Sequence, residues 1–401
     1  MEPLVSAYIA AAKVVPPKTK AVSHVLLKDL LAQQNLNLVH VATSNLPIRA
    51  DSNDQTSAVT IQRFRKKYVL VGGVNQPKKI ECLGSDGKIY RQLVKGKDDL
   101  RQDAVMEQVF CLVNSLLQQT SETRKRALSI RTYKVIPLSP KFGLLEWVDN
   151  TLPLRDYLVD GHSGIAGAHP RYRPQDWLSS KCRELLKKAN NGNKLKLYQE
   201  IEKNFRPVLH HFFLETFGQP AEWFERRVAY TRSMACNSIV GCIVELGDRH
   251  ISNILIDQST AEVVHIDLGI AFGQGKALPT AEVVPFRLTR DLVDAMGVSG
   301  TEGVFRRCCE ETLRVLRAHR ESLLTIMEVF LHDPLNRWVL SPLKEMQKRN
   351  KEQPNIGDPK PASEGNRDAE IVLRRLDQKL QGFESTGVLM SVWTFCFSFR
   401  H

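Results

Sequence analysis

Between Leu246 and Gly269 the chain reads LGDRHISNILIDQSTAEVVHIDLG. Two short β-branched runs, Ile254–Ile256 and Glu262–Ile266, flank the polar turn Asp257–Thr260. This pattern predicts a tight hairpin. A hairpin returns the chain to its starting level. Asn253, just before the first strand, and Asp267, just after the second, then face each other at one mouth.

Those residue types at that spacing suit phosphoryl transfer. Moving a γ-phosphate needs metal ions to neutralise developing charge and a carboxylate to orient the attacking hydroxyl. Hard Mg²⁺ takes oxygen ligands, and Asn253 and Asp267 supply them; Mn²⁺ accepts the same set. Asp248 is placed to accept the proton of the acceptor hydroxyl. His250 is placed to hydrogen-bond the γ-phosphate in the transition state. A polar surface turn explains any one of these residues alone. The joint pattern D-R-H-x-x-N, hairpin, D-x-G points to the chemistry.

The rest of the chain narrows the choice. It has 401 residues, 42% hydrophobic and 25% charged, which suits two or three globular domains. No apolar run reaches the ~18–20 residues that span a bilayer, so no membrane partner is expected. The N-terminus carries no positively charged start or cleavage site of a secretory peptide. The net charge of +12 is spread along the chain. The densest runs, Arg63–Lys67 and Arg124–Arg126, read as solvated element edges, and no direct nucleic-acid contact is expected. The eight cysteines form no C-x-x-C pair and no zinc spacing, which fits a reducing compartment, cytosol or nucleus. Neither G-x-G-x-x-G nor G-x-x-x-x-G-K-[ST] occurs, against a Rossmann or Walker-type nucleotide site.

Residues 1–54 read as two helical stretches, near Met1–Val14 and Val22–Leu31, the tail of something larger. A strand-rich lobe follows over 55–147, with strands at Tyr68–Val71, Lys79–Leu83, Ile89–Val94, Leu128–Pro137 and Gly143–Trp147. The Asp86-Gly87 turn marks a hairpin, and a helix fits Leu100–Gln118. Residues 148–343 read as a helical lobe, with a surface loop at Gly161–Pro174. Then come a disordered polar linker at 344–368, an amphipathic helix at 369–381 and an unpatterned aromatic tail at 382–401. The fold expected is α+β and bilobal, protein-kinase-like, with a sheet-rich N-lobe and a helical C-lobe.

A second motif, KGKDDLRQD, runs from Lys95 to Asp103. Together with LGDRHISNIL and HIDLG it resembles the phosphatidylinositol 3-kinase-related protein kinase family. Ordinary protein kinases carry His-Arg-Asp; this chain has Asp-Arg-His, as this family does. The resemblance implies ATP as phosphate donor, with Lys95 on its phosphates and Asp103 orienting that lysine. It gives His250 the part that a catalytic-loop lysine plays elsewhere. It makes Leu145–Val148 the hinge. There the Glu146 carbonyl and Val148 N–H meet the adenine edge. Trp147 stacks on the base or fills a core, and Leu255 and Ile266 pack beneath.

The loop Asp267–Pro285 holds one lysine, Lys276, and one glutamate, Glu282. A phosphoinositide headgroup would want a basic cluster there. The resemblance therefore implies protein Ser/Thr acceptors, with Ser/Thr-Gln sites, in DNA-damage signalling in the nucleus and also the cytoplasm. It also implies a damage-sensor partner complex and homodimeric full-length relatives. The family's C-terminal helical region is not found in 382–401, so an inactive fragment or interaction module is the alternative.

Overall fold

The computed structural model describes residues 2–14, 23–25, 30, 33, 35–45, 58–72, 75–189, 192–278, 280, 282, 284–332 and 362–383. They form two compact units: residues 1–111 with 132–149, and residues 112–131 with 150–401.

The first unit is built on an antiparallel sheet of seven strands. These are β1 (Ser23–Val25), β2 (Ile61–Phe64), β3 (Lys67–Leu70), β4 (Lys78–Gly84), β5 (Ile89–Gly96), β6 (Val135–Ser139) and β7 (Phe142–Glu146). Their order is β1-β3-β4-β5-β7-β6, with β2 also pairing β4. The β4 side chains alternate between buried and half-buried, as a strand with one face on the core requires. The turn from β4 to β5 is tight because Gly87 takes φ 76°. Helix α1 (Glu2–Lys13) lays Leu4, Ala7, Tyr8 and Ala11 into one core with Ile61, Phe64, Ile80, Val94 and Leu144. Their spacing of three and four residues is the apolar stripe of a surface helix. Inside that core the Tyr8 hydroxyl donates to Gln92 Oε1 (2.8 Å), and Gln92 Nε2 donates to Thr43 Oγ1 (3.2 Å). Helix α2 (Arg101–Gln119) follows β5.

The second unit is mainly helical. It contains α3 (Ser121–Lys125), α4 (Ala168–Tyr172), α5 (Ser179–Lys188), α6 (Lys194–Asn204), α7 (His210–Thr216) and α8 (Pro220–Ile243). After these come α9 (Arg290–Asp294), α10 (Val304–Ala318), α11 (Arg320–His332) and α12 (Ala362–Gln381). A three-stranded antiparallel sheet joins β8 (Thr151–Pro153), β9 (Ile254–Asp257) and β10 (Val263–His265) in the order β10-β9-β8. From Tyr230 to Ile243, α8 is buried except for Arg232. Two of its polar residues bond the small sheet: the Val263 N–H donates to Ser233 Oγ (3.0 Å), and Asn237 Nδ2 donates to Val263 O (3.3 Å). Pairing of buried backbone groups by helix side chains seats the hairpin on α8.

Four local expectations change. Ser23–Val25, expected helical, pairs with β3 as a strand; short apolar runs carry no decisive period. Residues 128–134, expected as strand, lie outside any ladder. Asn114 replaces the partner strand there: its Nδ2 donates to Ile130 O (2.7 Å) and its Oδ1 accepts the Ile130 N–H (2.8 Å). The expected loop Gly161–Pro174 contains α4. Helix α12 starts at Ala362 rather than 369. Ala-Ser-Glu can open a helix but shows no apolar period. The rest of the expected linker, residues 344–361, and the tail beyond Phe383 lie outside the described residues.

Candidate active site

The second unit brings together Asp248, His250, Asn253 and Asp267. The register of β9 and β10 pairs Ile254 with His265. One step outward the Ile266 N–H donates to Asn253 O (3.0 Å), which sets Asn253 beside the Ile266-Asp267 peptide. Asn253 is buried, and its Nδ2 donates to Asp248 O (3.0 Å). Its own N–H donates to His250 O (2.8 Å). The loop from 248 to 253 is therefore closed on itself by the asparagine.

Arg249 ties this loop to the one after β10. Its buried guanidinium donates to Gly247 O (2.8 Å), to Ile266 O (2.9 Å) and to Asp267 O. One planar fork of five donors thus joins backbone on both sides of the hairpin. Asp248 and Asp267 both sit in the left-handed region, φ 57° and 59°. That conformation is uncommon for a non-glycine residue and persists only where the surroundings hold it.

The chemical groups then divide by exposure. The Asp267 side chain is exposed, as is His250, whereas Asp248 is half-buried. Burial pushes the Asp248 carboxyl above its usual range, and the like charges of Asp267 and Glu282 add to this. The neighbouring His250 and Arg249 act the other way. His250 Nε2 lies 3.9 Å from Asp248 Oδ2, and its Nδ1 accepts the Ser252 N–H (3.2 Å). Behind the loops His265 is buried, with no hydrogen bond to either ring nitrogen among the described residues; burial pushes it down to about 3. It is a neutral packing residue there.

The site fits a divalent metal held jointly with phosphates. Asn253 spends its amide nitrogen on Asp248 O, which leaves Oδ1 as the ligand end, and Asp267 offers an exposed carboxylate. An amide oxygen plus a carboxylate is a typical protein share of an Mg²⁺ shell completed by a nucleotide. Among the described residues no group of three or more His, Cys, Asp or Glu could hold a metal. Leu255 is buried on β9 and Ile266 is half-buried.

The segment beyond Asp267 is fastened at its start. The Phe272 N–H donates to Val244 O (2.9 Å), and Arg375 Nη2 of α12 donates to Phe272 O (2.9 Å). Glu245 joins the same tie, with Arg375 at 3.0 Å and Lys379 at 3.2 Å. Lys379 Nζ also donates to Cys242 O (2.9 Å), capping the C-terminus of α8.

In the first unit Lys95 is the penultimate residue of β5 and pairs with Gly143 across to β7. Its Nζ lies 3.3 Å from Asp98 Oδ2. Asp103, expected to orient this lysine, is buried on the first turn of α2. Asp98 is thus a residue that sequence reasoning passed over; its signal is the i,i+3 spacing across the turn after Lys95-Gly96. Glu146 ends β7 and its Oε2 accepts the Lys134 N–H (2.9 Å). The Trp147 N–H donates to Arg91 O (2.9 Å), and Lys79 Nζ lies 4.4 Å from the centre of the half-buried Trp147 ring. Trp147 is therefore half-buried with Lys79 over its ring, and Val148 beside it is half-buried too.

Residues 89–340 match the family model described as phosphatidylinositol 3- and 4-kinase. The chain belongs to this family. Among its curated relatives, it is 51% identical over 391 residues to serine/threonine-protein kinase ATM of Arabidopsis thaliana, which covers 96% of this chain and 10% of that protein. It is 50% identical over 375 residues to serine-protein kinase ATM of Sus scrofa, covering 89% of this chain and 12% of that protein. The solved FAT and kinase domain of CtTel1 superposes with a TM-score of 0.78 at 38% identity, over 98% of this chain and 28% of that one. The complete CtTel1 dimer with C2 symmetry gives 0.79 at 39% identity, over 98% and 15%. The chain thus spans 10% and 12% of these two curated relatives' lengths. The likeness bears out the α+β kinase fold and the family expected from the motifs.

Proposed function

We propose that this chain is a protein serine/threonine kinase domain that moves the γ-phosphate of ATP to a protein hydroxyl. The observation that carries the reading is the Arg249 cross-tie, which holds the D-R-H-x-x-N loop and the D-L-G turn as one piece. Asp248 takes the proton of the acceptor hydroxyl. His250 donates to a γ-phosphoryl oxygen as charge builds. Asn253 and Asp267 hold the divalent metal, which when bound neutralises the phosphates. Lys95, steadied by Asp98, meets the phosphates as a point charge, with Asp103 behind it on α2. Glu146 and Val148 offer backbone groups to the adenine edge, and Trp147 offers a ring face. Leu255 and Ile266 supply the apolar floor. Curated relatives named ATM serine/threonine kinases, at about half identity, support a protein acceptor. So does the segment after Asp267, which has a single lysine and little to hold a polyanionic headgroup.

The finer reading is a preference for Ser or Thr followed by Gln, in nuclear DNA-damage and checkpoint signalling. It includes recruitment by a damage-sensor complex and a homodimeric full-length protein. Residues 1–54 would be the end of an upstream helical region, 55–147 the N-lobe and 148–343 the C-lobe. The test is transfer of labelled phosphate from ATP with Mg²⁺ or Mn²⁺ to a Ser-Gln peptide, a Ser-Ala peptide and phosphoinositide vesicles. Label on the Ser-Gln peptide alone is expected. Label on the vesicles alone contradicts the protein-kinase reading. A folded chain that binds ATP and labels nothing contradicts activity of this chain and favours the interaction module.

A further inference from the structure

The segment that follows the D-L-G turn carries one carboxylate with no part in the chemistry above. Glu282 Oε2 accepts the backbone N–H of Asp248 (2.9 Å), and Glu282 Oε1 accepts the backbone N–H of Arg249 (3.3 Å). Its own N–H donates to Gly275 O (3.1 Å). One side chain thus holds two consecutive amides of the catalytic loop, one with each oxygen.

These two amides bracket a single residue. Rotation about the N–Cα and Cα–C bonds of Asp248 would move its own N–H relative to the next one. A rigid carboxylate on both fixes φ and ψ together. Asp248 needs such a hold, because its φ of 57° lies where non-glycine residues are strained. The backbone around the carboxylate is cut to admit it. A Cβ on Gly247 would lie 2.9 Å from Glu282 Oε2 and 3.0 Å from Gly275 Cα. A Cβ on Gly275 would lie 2.7 Å from the same oxygen. Two glycines leave room for one glutamate. A carboxylate meets two donors with two acceptors, whereas an amide has only one acceptor end.

We propose that Glu282 is a positioning residue: it locks the backbone of Asp248 in its left-handed conformation and so aims the Asp248 carboxylate at the acceptor hydroxyl. This rests on the reading that Asp248 receives the acceptor's proton. Glu282 acts through Asp248 and touches no reacting atom. The competing role would be to brace a docking platform for the acceptor peptide.

The test uses the 401-residue chain and its Glu282→Ala and Glu282→Gln variants. Hydrogen exchange over residues 246–253 reads the proposed bonds without any need for activity. Glu282→Ala is expected to speed exchange there by about 10–100-fold and Glu282→Gln by less, with α10 unchanged. In the transfer assay the alanine variant should lose about 10–100-fold in kcat. That loss should appear with peptide and with water as acceptor, while KM for peptide stays within about twofold. Unchanged exchange over 246–253 overturns the proposal. So does a defect confined to the peptide KM. If the alanine variant also loosens α10, the glutamine variant decides on the same readouts. A wild-type chain that transfers no phosphate counts against the kinase reading, and the exchange comparison alone then decides this one.

Discussion

Replacing Arg249 by alanine removes the only side chain that, among the described residues, bonds the backbone on both sides of the β9–β10 hairpin in three places. The residue is 4% exposed, and its side chain donates to Gly247 O, Ile266 O and Asp267 O. A hydrogen bond from a charged donor contributes about 1.5–3 kcal/mol net, and contributions within one network do not add fully. Water entering the space left behind will satisfy part of what is lost. The expected cost is about 3–5 kcal/mol, below the simple sum of three bonds from a charged donor. Arg249→Lys should recover part of it, since a point ammonium reaches one or two of the carbonyls but lacks the fork that spans all three. Urea unfolding of the wild type and both variants, followed by tryptophan fluorescence, measures this. The order wild type, lysine, alanine is expected. An alanine variant within about 1 kcal/mol of wild type would mean the network contributes far less than a buried charged donor should, and would refute the cross-tie.

Two further outcomes follow from buried charge in each unit. Burial pushes Glu107 up to about 8, helped by Asp103 and Glu146 and opposed by the Tyr133 N–H that it accepts (3.1 Å). The folded state keeps a proton that the unfolded chain sheds above its usual 4.5, so stability falls as pH rises from there through about 8. Glu107→Gln should therefore match wild type within ~1 kcal/mol near pH 5 and exceed it by roughly 3–5 kcal/mol above pH 8, read by denaturant unfolding at both; equal stability at both would contradict the buried neutral acid. In the second unit, Lys379→Met keeps bulk but removes the cation from Glu245 and Cys242 O. Arg375 remains to pair Glu245, so the loss should be about 2–3 kcal/mol rather than the full cost of an orphaned buried charge, and a loss under ~0.5 kcal/mol would contradict the clamp.

The part of the site that was legible in the sequence is the part built from neighbours in the chain. Two β-branched runs with a polar turn dictate the hairpin, and its register alone brings Asn253 beside Asp267. Arg249 stood in plain view inside the motif, but its partners are backbone carbonyls up to eighteen residues away, which no side-chain pattern records. Glu282 was hidden for the same reason. Asp98 was overlooked because it lies in the turn after Lys95-Gly96, where an acidic residue reads as ordinary turn polarity, whereas Asp103 stands on a strongly patterned helix. The sheets were read where strands alternate, as in β4 and β5, or where β-branched runs flank a turn, as in β9 and β10, and missed at the short strands β1, β2 and β8, which carry neither signal. The place of α1 in the core was also out of reach, since its stripe shows that Tyr8 is buried without showing that Gln92 receives its hydroxyl.

In the proposed function one cluster holds metal through Asp267 and moves a proton through Asp248. The most direct measurement is ATP affinity with and without Mg²⁺, set beside phosphoryl transfer, for wild type, Asp248→Ala and Asp267→Ala. Asp248→Ala is expected to bind ATP within about threefold of wild type yet to transfer at least about 100-fold less. Asp267→Ala is expected to lose the Mg²⁺-dependent part of its ATP affinity. Full transfer by both variants, or Mg²⁺-dependent binding that survives in Asp267→Ala, would contradict these roles.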